Sequence, residues 1–253
     1  MVKCIAVAGI VLSAVFLVRG QSPAFEVASI KPSDPSRPIA INRSGYHLST
    51  TSTSLLFLIT WAYDIQSDHV YGQPKWLDSV RYDVVANASE DTRRAPARPL
   101  RNGPTVLQQM MQSLLAERFK LAVHREVKEL PVYVLTVAKN GAKFQLAEEP
   151  EKFGLNPFNM PGRGRLAGTQ VTAAMLAKVL SGQLGRTVQD QTGLKGVFDF
   201  KLEWEPDPGS PNAGSAPSLF TALEEQLGLK LEARKGPVEV LVIDRIENAP
   251  TAN

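Results

Sequence analysis

The stretch "LPVYVLTV" at 130–137 returns, slightly altered, as "GPVEVLVI" at 236–243. Each copy follows a helix-like run and a charged stretch, "LLAERFKLAVHREVKE" before the first and "LEEQLGLKLEARK" before the second. A segment that recurs together with its neighbours constrains a fold strongly, because each copy has the same apolar face to bury. The match extends upstream. Residues 45–62 align without gaps on 163–180, setting Leu48 against Leu166, Thr51 against Thr169 and Leu58 against Leu176. Further on, Tyr82, Asp83 and Val84 fall opposite Phe198, Asp199 and Phe200. The run from Leu121 to Pro131 is longer by two residues than that from Leu229 to Pro237. Two is the strand period, so the shorter copy keeps the same face inward.

The sequence therefore predicts an α+β fold built as a tandem duplication. Each half is a small antiparallel or mixed sheet with two packed helices. The first half spans 25–147, a linker 148–162 and the second half 163–247, after a signal peptide at 1–20. Within the first half, "FEVASIKPS" reads as a strand and "AINRSGYHLST" as two short strands meeting at Ser44 and Gly45. In "TSTSLLFLITWAYDI", Thr53 or Ser54 caps a helix whose core face is Leu55, Leu58, Ile59 and Ala62. Thr105 and Gln108 have capping-box spacing ahead of a second helix. Thr172 and Ser218 are the corresponding caps in the second half, with Gly185 and Gly228 at the helix ends. "KLAVHREV" and "PVYVLTVAK" predict a hairpin, and "LKLEARKGPVEVLVIDRIE" predicts its counterpart. Polar, Pro-rich stretches at 89–104, 148–164 and 205–217 read as linkers.

The N-terminus bears on the compartment. Lys3 precedes an apolar run from Ile5 to Val18, followed by small and polar residues. That is the pattern of a secretory signal. A run of ~14 residues falls short of the ~20 that span a bilayer. The expected locale is periplasmic or extracellular, with no stable membrane span after cleavage near Gln21 or Phe25. Cleavage would also remove Lys3 and Arg19, which takes the 28 basic residues to 26 against 25 acidic ones. A near-neutral mature chain carries no basic footprint for nucleic acid. The single cysteine, Cys4, leaves with the signal, so neither disulfides nor cysteine-ligated zinc is expected.

Motifs for chemistry are sparse. His47, His69 and His124 do not pair at metal-ligand spacing, and no H-E-x-x-H occurs. There is no G-x-S-x-G elbow. "GRGRLAG" at 162–168 has glycines but no G-K-[ST]. Asp83 and Asp199 recur at equivalent places, which suits one structural task per half. No catalytic, metal or cofactor residues are assigned, and no cofactor is expected. Trp76 in the loop "GQPKWLD", with Tyr71 close by, is a candidate groove lining. Phe153 and Phe158 are apolar residues in a turn-rich segment and complete the candidate binding surface.

The stretches "FEVASIKPS", "LLAERFKLAVHRE…LPVYVLTVAKNG", "LGRTVQDQTGLKGVFDFKLEW" and "SLFTALEEQLGLKLEARKGPVEVLVID" resemble the soil-associated proteins. This is an uncharacterised family, expanded in Acidobacteria and classed as a domain of unknown function. The resemblance covers about 25–247, implies a bacterial exported protein and brings no catalytic residues. Residues 171–203 are also similar to the short N-terminal domain shared by secretins and TonB-dependent receptors, a module of periplasmic protein contacts. The expected function is an exported, non-enzymatic binding or sensing module acting on an envelope protein, peptide or glycan. The alternative is a secreted hydrolase with an unrecognised active site.

Overall fold

The computed structural model describes residues 22–90, 105–144, 158–206 and 216–251. It is a mixed α+β fold, mostly β, with three sheets and four helices among the described residues. The chain divides into two units. Unit 1 comprises 1–67, 72–123 and 243–253, and unit 2 comprises 68–71 and 124–242.

In unit 1 a four-stranded sheet is built from β1 (Val27–Pro32), β2 (Ala40–Ser44), β3 (His47–Ser54) and β5 (Arg81–Asn87), in the order β1-β5-β3-β2. All pairings are antiparallel. Strand β5 alternates, with Tyr82, Val84 and Ala86 buried. Helix α1 (Leu55–Tyr63) starts where β3 ends, because the Ser54 hydroxyl accepts from the Phe57 amide. Its Leu55, Leu58, Ile59 and Ala62 are buried, as the spacing predicts. Helix α2 (Val106–Arg118) opens with the full capping box of Thr105 and Gln108. It buries Met110, Met111, Leu114 and Leu115. Gln108 and Gln112 donate side-chain amide hydrogens to the carbonyls of Trp61 and Ala62, so α2 satisfies the open end of α1. The tail 246–251 closes the unit: Glu247 and Thr251 amides donate to the carbonyls of Phe119 and Arg118.

Unit 2 contains a three-stranded sheet, β10 (Phe198–Glu203), β8 (Arg165–Val171) and β7 (Phe158–Gly162), in that order. Helix α3 (Ala173–Leu184) is capped by Thr172 and ends at Gly185, in the left-handed conformation. Helix α4 (Leu219–Ala222) is capped by Ser218 and continues as a π-helical turn, Leu223–Leu227, that ends at left-handed Gly228. The core gathers Leu166, Leu176, Leu180, Phe198, Phe200, Leu223 and Leu229. A second, four-stranded sheet has the order β4 (Val70–Tyr71), β11 (Leu229–Arg245), β6 (Ala122–Val137) and β9 (Val188–Asp190). Strand β4 pairs parallel with β11, and β9 pairs parallel with β6.

Two expectations need correction. The segments read as hairpins are single strands, β6 of 16 residues and β11 of 17. No residue in either strand has the positive φ of a tight turn, Gly236 included. Gly236 instead allows close approach: a Cβ there would lie 3.3 Å from Val132 Cγ2 and 3.1 Å from Gln189 Oε1. The strands satisfy each other, with Arg125 pairing to Glu239 toward one end and Thr136 reaching the Lys230 carbonyl toward the other. The expected linker at 148–162 also contains strand β7, despite Pro161. Strand β7 is the edge of its sheet, and its pairing with β8 slips between Asn159 and Gly162, a place that tolerates a proline. The rest of that linker, and the linker at 89–104 beyond Glu90, lie outside the described residues.

Candidate functional site

The feature of unit 1 best suited to taking a partner is the edge of β2, which among the described residues has a neighbour on one side only. Strands β2 and β3 are joined at Gly45 and Tyr46, with Gly45 at φ 57°, and Ser44 faces His47. In a two-residue hairpin the residues flanking the turn exchange hydrogen bonds, and the pattern then alternates. Ser44, Asn42 and Ala40 therefore bond to β3. The N–H and C=O groups of Ile41 and Arg43 point the other way, off the sheet edge. All five residues of β2 are exposed.

Side chains make this edge more than bare backbone. Ile41 and Arg43 lie opposite Thr50 and Leu48, on the buried face of β3, so they point to the side covered by α1. There they meet Phe57, Leu58 and Trp61 around a notch of about 20 Å³. That is room for one water molecule or a methyl group. Ile39, Ile41 and Phe57 remain 60%, 40% and 38% exposed. The Arg43 guanidinium sits 5.8 Å from the centroid of the half-buried Trp61 ring. Such a contact contributes about 0.5–1 kcal/mol and leaves the guanidinium edge free to donate. Among the described residues Arg43 has no carboxylate partner.

Comparison with known proteins gives the affiliation. A family model described as "Protein of unknown function (DUF3738)" matches residues 57–246, three quarters of the chain. The chain belongs to the DUF3738 family. No curated protein and no solved structure matches it. The DUF3738 match begins at Phe57, inside α1, so Ile39, Ile41 and Arg43 precede the matched span.

Beside the edge, one polar device occurs in each unit of this DUF3738 chain. In unit 1 the β3–β5 pairing slips between Thr50 and Thr53, and Ser52 at the slip has φ 52°. Its amide donates to Asp83 Oδ1 at 2.9 Å. In unit 2 the β8–β10 pairing slips near its end, Gln170 has φ 53°, and its amide donates to Asp199 Oδ1 at 2.7 Å. The Asp83 carboxyl is held below the ordinary carboxylate range. The Ser33 hydroxyl contributes most, then the Ser52 amide, with Arg37 adding its charge. Ser33 Oγ is buried without a partner of strict hydrogen-bond geometry, which leaves the Asp83 carboxylate as the acceptor within its reach. Burial moves Tyr82 the other way, raising its phenol, whose O–H donates to the Asn248 carbonyl at 2.6 Å.

The residues singled out from sequence are dispersed. Tyr71 lies in β4 of unit 2, with the Lys128 ammonium 3.9 Å over its ring. Trp76 lies in unit 1, half-buried in the short 3-10 helix Lys75–Leu77. Phe158 opens β7 and turns into the unit 2 core, edge-on to Phe200 at 6.4 Å. Phe153 lies outside the described residues. Unit 2 also has an open groove of about 390 Å³ along α4, lined by Lys143, Phe220, Glu224, Glu225 and Lys230.

The histidines are each explained locally. His47 Nδ1 is 2.7 Å from Asn87 Oδ1, and His124 pairs with Glu126 on the surface. Buried His69 has Thr187 Oγ1 at 3.4 Å and Asp68 Oδ2 at 3.8 Å, both at Nε2. A relay needs the hydroxyl and the orienting acid on opposite ring nitrogens, so this trio is not arranged as one. Among the described residues no group of three or more His, Cys, Asp or Glu is placed to hold a metal. None of their helices is long and apolar enough to cross a membrane. "AINRSGYHLST" predicts two short strands, as found, but not which of them lies at the edge of the sheet. The signal of the edge was alternation of Ile39, Ile41 and Arg43 ahead of a tight turn, with Phe57 and Trp61 one helical turn apart.

Proposed function

We propose that this chain is an exported, non-enzymatic binding module that takes an extended segment of an envelope protein along the edge of β2. The observation that carries the reading is the conjunction at one place of outward backbone groups at Ile41 and Arg43 with exposed Ile39, Ile41 and Phe57. Strand addition draws affinity from main-chain hydrogen bonds and selectivity from alternate side chains, and this edge offers both. The apolar run at Ile5–Val18 supports export to the periplasm or beyond, as do the resemblances to the acidobacterial soil-associated proteins and, over 171–203, to the secretin and TonB-receptor module.

The chain is further read as two copies of one unit. The paired bulges support this, each with a left-handed residue held by an aspartate, followed two residues later by a helix cap.

The test is a selection of displayed random peptides on the purified protein, with the winners measured by fluorescence anisotropy. Their binding should be lost in Ile41→Pro, which removes an outward N–H without breaking the β2–β3 ladder, and kept in Trp76→Ala. Binding untouched by Ile41→Pro would refute the edge. Turnover of a peptide or glycan that disappears in His69→Ala would refute the non-enzymatic reading.

A further inference from the structure

Resting on the edge reading above, we infer that the occupant of β2 is a strand bearing a carboxylate side chain two residues away from an apolar one. The argument starts from register. A strand adding to β2 pairs at Ile41 and Arg43, the residues whose main-chain groups face outward. Residues opposite these two are two apart, and their side chains stand on the α1 side. Opposite Ile41 the new side chain meets Ile41 itself and Phe57, 40% and 38% exposed, beside the small notch. An apolar group there removes exposed apolar surface from water. Opposite Arg43 it meets a guanidinium whose carbon lies 5.8 Å from the Trp61 ring centroid and which has no acid partner among the described residues.

A guanidinium presents a planar fork of donors that matches a carboxylate. A cationic residue there would face Arg43 with no acid beside it, and an apolar residue would cover its donors. The β2 strand itself supplies no acid, its five residues being Ala40, Ile41, Asn42, Arg43 and Ser44. Charge complementarity therefore selects the partner segment. In antiparallel addition the carboxylate comes first, two positions ahead of the apolar residue. The same feature disfavours pairing of two β2 edges from two copies, since that brings one cationic strand against another.

The probe is a synthetic nonapeptide of alternating threonine and valine, with a glutamate two positions ahead of an isoleucine at its centre. Companion peptides carry glutamine or lysine in place of the glutamate. The wild-type protein should bind the glutamate peptide about two- to fivefold more tightly than the glutamine one, the upper range for an exposed ion pair. The preference should shrink with added salt. Arg43→Glu should reverse the order in favour of the lysine peptide, a result that mere unfolding cannot produce. If all three peptides bind alike and all are lost in Ile41→Pro, the edge reading stands and this inference fails. If none binds, or Ile41→Pro changes nothing, both fail. A dimer in sedimentation that Ile41→Pro dissolves would put a second copy on the edge, and would also overturn the inference.

Discussion

Replacing Asp83 by Ala should destabilise unit 1 far more than replacing Asp199 by Ala destabilises unit 2, although the two aspartates hold their bulges in the same way. The Ser52 amide belongs to a residue 1% exposed, whereas Gln170 is exposed. A buried donor that loses a charged acceptor forfeits about 1.5–3 kcal/mol, and water cannot replace the bond. The Arg37 pair, its side chain 51% exposed, adds at most about 1 kcal/mol. The expected loss for Asp83→Ala is therefore about 2–3 kcal/mol. At Gln170 water takes over from Asp199, and the net loss falls to about 0.5 kcal/mol. The gap of roughly 2 kcal/mol corresponds to more than a tenfold difference in the opening equilibrium.

Native-state amide exchange at Ser52 and Gln170 reads each bulge directly. Urea titration followed by tryptophan fluorescence reads each unit, since Trp61 and Trp76 lie in unit 1 and Trp204 in unit 2. Asp83→Asn keeps an acceptor for the Ser52 amide and should recover about half of the loss. Equal shifts for the two Ala variants, or the larger shift for Asp199→Ala, would refute the assignment of the difference to burial.

Two further outcomes follow from the same geometry. Gly185→Ala should cost about 1 kcal/mol, the left-handed penalty alone, because nothing lies within 4 Å of a Cβ there. Gly228→Ala adds a backbone collision, its Cβ falling 2.0 Å from the Gly141 carbonyl oxygen, and should cost about 3 kcal/mol or more; thermal melting of the pair checks the ranking. Because Asp83 titrates below its unfolded value of 3.8, its contribution is present above about pH 4 and is lost as pH falls through the folded value. Urea midpoints of unit 1 between pH 6 and pH 3 should drop less steeply in Asp83→Asn than in wild type, and parallel curves would contradict this.

Local chemistry was legible in the sequence and long-range pairing was not. The caps at Ser54, Thr105, Thr172 and Ser218 and the left-handed ends at Gly185 and Gly228 all follow from residue type and spacing. So does the buried face of α1. The hairpins failed because Pro131 and Gly236–Pro237 look like turns when read with their neighbours alone. Their ladders are satisfied by a strand about a hundred residues away, as Arg125 with Glu239 shows. Strand β7 was hidden for a similar reason, since an edge position tolerates a proline that a central one would exclude. The β2 edge went unseen because a free edge is a property of sheet order, and nothing within five residues reveals which strand has only one neighbour.

The tail that closes unit 1 has a consequence for how the chain matures. The last contacts of the unit that begins at the N-terminus come from Glu247, Asn248 and Thr251. Those residues emerge from the ribosome after every residue of unit 2. While synthesis is under way, the Tyr82 hydroxyl and the Phe119 and Arg118 carbonyls have not met their partners. The two units therefore cannot mature simply in the order in which they are encoded. A chain shortened by ten residues at its C-terminus loses the closing contacts of the unit that contains β1.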